Sequence, residues 1–306
     1  QRAAAKAPVD RPCKIFAGPG SGKTATMCGR VLRLLSTGVD RCDVVVTTFS
    51  RAAAHEMRER RLAREMEGCG VWVTTIHGLS YRLLCKFLRV DRLTIMDDAK
   101  GAVEAFASRV RVNVAELGPF VRALPLFLRT NRVLQTLEEE ATAFAQSACG
   151  SNTSKRPLAS HFYRDVAPRL SSITVDGLVP LLVRLLIFAD TGGKETWWLG
   201  AMMATDEARR RAQEVAAEFR SKYYIVDEFQ DTSGAQMILL AKLASGSGRI
   251  TVVGDVDQSI YTFCGADPSI MLRDFDRTFT NSTSFKLETN YRSTPQIVGA
   301  CQALIS

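Results

Sequence analysis

The 306-residue chain carries 40 Lys and Arg against 32 Asp and Glu, a formal net charge of +8, with hydrophobic residues making up 46%. Its apolar residues fall in short runs, none near the ~18 uninterrupted positions of a membrane span, and its length suits a large core spread over about two domains. Eight cysteines (Cys13, Cys28, Cys42, Cys69, Cys85, Cys149, Cys264, Cys301) form no C-x-x-C pair and the three histidines are dispersed, so no Cys/His metal spacing exists and a reduced intracellular setting is expected over a secreted disulfide framework.

In chain order, the first strand-like run is Lys14–Ala17, and Ala17-Gly18-Pro19-Gly20-Ser21-Gly22-Lys23-Thr24 follows it into helix-forming sequence. That arrangement predicts a phosphate-binding loop. A Gly-rich turn lets backbone N–H groups converge on phosphate oxygens, Lys23 reaches the β- and γ-phosphates, and the Thr24 hydroxyl can ligate Mg²⁺. Gly18, Gly20, Ser21, Gly22, Lys23, Thr24 and Ala25 are therefore candidates for nucleotide binding. Strand-like runs recur at Val44–Phe49 and Val71–Thr75, separated by the Arg/Glu-rich segment Arg51–Glu67, which reads as a solvated helix with i,i+4 pairs.

From Lys86 to Leu199 helical periodicity takes over, at Ala102–Val112, Phe120–Leu137, Glu138–Ala148 and Leu178–Ala189. The last is the most apolar segment; Pro180 and Arg184 interrupt it, so it reads as a core helix. The Ser-, Gly- and Asn-rich stretch Ser147–Ser160 is expected to be a mobile loop. Alternation returns with Tyr223–Val226, a β-rich run ending in Asp227-Glu228, and with Ile250–Gly254. Such a pattern predicts a parallel α/β sheet with ligands at the C-terminal strand edge. There Asp227 can hold Mg²⁺ through water and Glu228 can orient and deprotonate an attacking water.

The series AGPGSGKT, Thr48-Phe49-Ser50-Arg51-Ala52-Ala53-Ala54-His55-Glu56-Met57, Thr75-Ile76-His77, DEFQDT, Gly254-Asp255-Val256-Asp257-Gln258-Ser259-Ile260-Tyr261 and Asn290-Tyr291-Arg292-Ser293 resembles the superfamily 1 DNA helicases of the UvrD/Rep/PcrA kind. The resemblance implies a P-loop, RecA-like parallel sheet flanked by helices, with an inserted all-helical subdomain. The expected division is 1–85 and 200–306 for the motor domain and 86–199 for the insertion. It also implies ATP with Mg, 3′ to 5′ movement on single-stranded DNA or at single-strand/duplex junctions, and a second RecA-like motor domain as partner. The start at Gln1 and the stop within an apolar helical pattern both read as trimmed from something longer. The compartment expected is the nucleus if eukaryotic and the cytoplasm if bacterial, with no membrane partner.

Carried over by position, Gln1 reads adenine, Tyr291 stacks on it, Arg292 approaches the γ-phosphate and Gln258 senses that phosphate. Phe49, Tyr261 and Phe263 resemble positions that stack on successive bases, and Thr75 with His77 resembles a pair contacting the DNA backbone. Two departures stand out: Cys264 replaces the usual arginine before Gly-Ala, and Arg51-Ala52 replaces the common Asn-Lys. Cys264 gives its one support to an alternative, a catalytically impaired, helicase-derived module that binds DNA or a partner. A GTPase is disfavoured because the chain has no N-K-x-D guanine-reading motif.

Overall fold

The computed structural model describes residues 1–62, 70–93, 100–130, 136–171, 175–191, 205–244, 246 and 248–305. They divide into two compact units, one of residues 1–79, 218–232 and 243–306, the other of residues 80–217 and 233–242.

The first unit is built on a six-stranded sheet of β1 (Cys13–Ala17), β2 (Val44–Thr48), β3 (Trp72–Thr75), β4 (Tyr223–Val226), β5 (Ile250–Gly254) and β6 (Thr283–Leu287). The order is β3-β2-β4-β5-β1-β6, and every pairing is parallel. Val44–Thr48 and Ile250–Gly254 are buried at every position, as expected of central strands covered on both faces. This is the α/β sheet expected from the sequence, with one strand more. β6 carries no apolar run in the sequence because it is an edge strand, mostly polar, with alternating exposure along Thr283–Leu287.

Helix Lys23–Ser36 packs Met27, Cys28, Val31 and Leu34 into the core formed by Ile15, Val44, Val46, Ile225 and Val253. Buried Arg30 on that helix donates to the carbonyls of Ala7 and Pro8 and to Thr251 Oγ1, tying the N-terminal segment down. The segment expected as one solvated helix over Arg51–Glu67 is helical over Arg51–Glu56 and continues as a π-turn over Met57–Leu62, while residues 63–67 lie outside the described residues. It is not wholly solvated, since Ala54 and Met57 are buried.

The second unit is helical, with Lys100–Val110, Val114–Thr130, Leu137–Cys149, Arg156–Ser171 and Val175–Asp190 among its helices. Its core is aromatic: Phe106 and Phe162 meet edge to face at 5.6 Å, and Phe127 and Tyr163 at 5.4 Å. Such pairs add about 0.5–1.5 kcal/mol beyond area burial. The expected mobile loop Ser147–Ser160 is a correction. Helix Leu137–Cys149 runs into it, and a new helix starts at Arg156 after one turn of 3-10 helix at Thr153–Lys155. Pro157 fits because the first helical turn needs no N–H, and the Arg156 guanidinium donates to Gly150 O at 2.7 Å. The helix expected from Phe120 begins earlier, at Val114, with Pro119 and Pro125 inside it, and residues 131–135 lie outside the described residues. Leu178–Ala189 is buried as expected, within helix Val175–Asp190. Among the described residues no helix is long and apolar enough to cross a membrane.

Candidate nucleotide and nucleic-acid site

The loop leaving β1 is shaped by two glycines in the left-handed region, Gly20 (φ +69°) and Gly22 (φ +86°). A Cβ on Gly20 would lie 2.7 Å from Arg292 Cβ and from Asn290 Oδ1, and one on Gly22 would collide with the Gln1 amide. The Ser21 hydroxyl and N–H donate to Gly18 O at 2.7 and 3.2 Å, closing the turn. From outside, Gln1 Nε2 donates to Ser21 O at 2.8 Å, Asn290 Nδ2 to Pro19 O at 2.8 Å and the Tyr291 N–H to Gly20 O at 2.9 Å. Two stretches far apart in sequence, Gln1 and Asn290-Tyr291, thus grip one loop. Lys23, Thr24 and Ala25 form the first turn of the helix behind it, whose unpaired N–H groups favour negative charge. A cavity of about 580 Å³ borders the loop, lined by Gly18 and Ser21 and, across from them in sequence, by Asp255, Gln258, Lys286 and Asn290. That volume lies in the range of small-molecule sites.

β4 delivers the carboxylates. The Asp227 N–H still pairs with Thr47 O at 2.8 Å, so sheet pairing persists right up to the site. Glu228 then turns into the left-handed region (φ +47°), a conformation that costs a non-glycine residue about 1–3 kcal/mol and concentrates at functional sites. Its Oε2 accepts from Lys23 Nζ at 3.1 Å and from Gln230 Nε2 at 2.9 Å. Burial, then the charge of Glu228, push the Asp227 carboxyl up to about 6, with Lys23 pulling the other way. Asp231 rises to about 6 for the same two reasons. A divalent cation beside such a carboxylate would favour its ionised form, which fits Asp227 to a metal role.

After β5, Asp255 Oδ2 accepts from Gln258 Nε2 at 2.5 Å, and the chain continues to a row of rings. Tyr261 stacks on Phe49 at 4.6 Å between centroids and 28° between planes, and Phe263 lies 6.1 Å from Tyr261. Phe49 and Phe263 are 47% and 75% exposed, so the row of three rings presents aromatic surface to solvent. Thr75 Oγ1 accepts from the Gly78 N–H at 3.1 Å, capping helix Ile76–Leu88. His77 sits in the first turn of that helix.

Residues 1–280 match the family model described as the UvrD/REP helicase N-terminal domain. The chain belongs to the UvrD/REP helicase family. It is 32% identical over its whole length to the ATP-dependent DNA helicase UvrD2 of Mycobacterium tuberculosis, covering 43% of that protein. It is 29% identical to the ATP-dependent DNA helicase UvrD1 of Mycobacterium leprae and 28% to the ATP-dependent DNA helicase PcrA of Leuconostoc citreum, with 96% and 97% of the chain aligned and 37% of each relative covered. The chain therefore spans about two fifths of the length of these relatives.

Within this UvrD/REP chain the structure brings Lys23 to Glu228, Gln1 to the Gly18–Thr24 loop, and Tyr291 and Arg292 to Gly20. Gln258 reaches Asp255 rather than the loop itself. Three residues given no role from sequence, Gln230, Asp255 and Asn290, hold the motifs together. They lie inside DEFQDT, the Gly254–Tyr261 run and NYRS, so the signal was their presence in those motifs.

Proposed function

We propose that this chain is the ATP-hydrolysing motor domain of a DNA helicase or translocase, binding ATP with Mg²⁺ at Gly18–Thr24 and single-stranded DNA on Phe49, Tyr261 and Phe263, with 3′ to 5′ movement. The observation that carries the reading is the 3.1 Å approach of Lys23 to Glu228 at the head of the Gly20/Gly22 loop. In this reading the pair serves as a cation for phosphate oxygens and a base for water at one phosphoryl group.

In this reading Lys23 and the first-turn N–H groups bind the phosphates, and Gln1 and Tyr291 orient the base. Glu228 takes the proton of the attacking water at its carboxylate, and Arg292 and Gln258 answer to the terminal phosphate. Thr24 and Asp227 would hold Mg²⁺, which when bound neutralises charge on the phosphate oxygens. Exposed rings suit single strands because every base offers a π-face, at about 1–3 kcal/mol per base. Residues 1–85 and 200–306 act as the motor domain and 86–199 as its insertion, in an intracellular setting. A second RecA-like motor domain completes the site and closes on the nucleotide.

The test is ATP turnover with and without single-stranded DNA, on this chain and on a polypeptide that adds the second motor domain. DNA-stimulated turnover in the longer protein supports the proposal. DNA binding with no turnover in either would favour the impaired module and direct attention to Cys264.

A further inference from the structure

Arg30 is 2% exposed and stands two helical turns beyond Lys23 on helix Lys23–Ser36, about 10 Å along the axis from the Gly18–Thr24 loop. Its guanidinium donates to Ala7 O, to Pro8 O at 2.6 Å and to Thr251 Oγ1 at 3.3 Å. Two carbonyls and a hydroxyl satisfy this buried charge, with no carboxylate among them. Burying a cation away from any countercharge is costly, and what the cation holds here is a stretch of main chain.

That stretch carries Gln1. Gln1 precedes the single helical turn Arg2–Ala5, its carbonyl accepting from the Ala5 N–H at 2.9 Å, and Ala4 and Ala7 are buried in the core of the first unit. The turn lies so close on the long helix that a Cβ on Gly29 would stand 3.2 Å from Ala5 Cβ. Gly29 and Arg30, adjacent on one helix, therefore set where the turn sits, one by close approach and the other by hydrogen bonds. At the head of the turn Gln1 Nε2 donates to Ser21 O at 2.8 Å. A carbonyl must face the NH₂, so this bond fixes which way round the amide lies and leaves Oε1 and the second Nε2 hydrogen for a ligand. A donor and an acceptor side by side complement N7 and N6–H of adenine. Guanine offers two acceptors, N7 and O6, and would set O6 against Oε1.

We propose that Arg30 is a specificity-determining positioning residue: by anchoring Ala7 and Pro8 it holds the Gln1 amide against Ser21, and so makes the site prefer adenine to guanine nucleotides from a place that does not touch the nucleotide. This rests on the reading of Gln1 as the residue that meets the base. An amide already held in one orientation discriminates because it cannot turn over to suit the wrong base, and it loses little freedom when the right one binds.

The experiment displaces a fluorescent ATP analogue from this chain, in the presence of Mg²⁺, with non-hydrolysable analogues of ATP and GTP and with inorganic tripolyphosphate. The unaltered chain should prefer the adenine analogue by about tenfold or more. Arg30→Met, of similar length but with no donor, should cut that preference to about threefold or less while tripolyphosphate binds within about twofold of its original affinity. Combined with Gln1→Ala it should lose no further preference, because both changes remove the same interaction. Gly29→Leu, which pushes Ala5 away and leaves Arg30 in place, should lower the preference in the same way, and it preserves the test should Arg30→Met not fold. Variants that weaken both analogues and tripolyphosphate alike while keeping the full preference make Arg30 and Gly29 merely structural and overturn the proposal. Full preference in Gln1→Ala, or none in the unaltered chain, would instead overturn the reading of Gln1.

Discussion

Lys23 and Glu228, 205 positions apart, meet at 3.1 Å because β1 and β4 end on the same edge of the parallel sheet with β5 between them. One strand delivers the loop and its lysine, the other the carboxylate, and the sheet fixes their separation. An open α/β sheet places ligands at that edge for this reason.

The loop tolerates no side chain at Gly22. Its φ of +86° strains any L-residue, and a Cβ there runs into the Gln1 amide that holds Ser21 O. Gly22→Ala is expected to weaken binding of a fluorescent ATP analogue by about tenfold or more, an effect of roughly 1.4 kcal/mol, and to lower the thermal unfolding temperature as well. Equilibrium titration checks this.

The proposed DNA role of the ring row predicts an effect that leaves ATP-analogue binding alone. Removing the ring of Phe263, 75% exposed, should weaken binding of an oligothymidylate by about tenfold, in keeping with about 1–3 kcal/mol per stacked base. Fluorescence anisotropy on Phe263→Ala, beside ATP-analogue titration, separates the two sites. Unchanged DNA affinity would remove Phe263 from the platform.

In the helical unit, buried Glu140 accepts from Tyr163 Oη at 2.7 Å and from Arg184, also buried. Arg184→Leu leaves that buried carboxylate without its countercharge and should cost about 3–5 kcal/mol in denaturant unfolding, more than the double replacement Glu140→Leu with Arg184→Leu. Burial already pushes the Glu140 carboxyl up. A carboxyl whose folded-state value is raised binds more protons folded than unfolded, so stability falls as pH rises through that window. The Arg184→Leu deficit should therefore shrink as pH is lowered through the carboxylate range, which denaturation at several pH values measures.

Legibility followed burial and locality. The central strands announced themselves because both faces are covered, giving runs such as Val44-Val45-Val46. β6, an edge strand with Lys286 and Ser284 facing out, carried no such run. Helix Arg156–Ser171 hid behind a Ser- and Asn-rich approach and a proline that the first helical turn accepts. Lys23, Asp227 and Glu228 stand out in the sequence as candidates because each lies in a local pattern tied to a strand end. Gln230 stands inside DEFQDT, but its contacts are not legible there, because one of them is to Asp255, 25 residues away.

The most direct test of the central claim compares Lys23→Ala and Glu228→Gln for ATP-analogue affinity and for single-strand-stimulated turnover in a polypeptide containing the second motor domain. Lys23→Ala should lose affinity and turnover together, whereas Glu228→Gln should keep affinity within about threefold and lose turnover by about 100-fold or more. Full turnover in Glu228→Gln, or unchanged affinity in Lys23→Ala, would contradict the account.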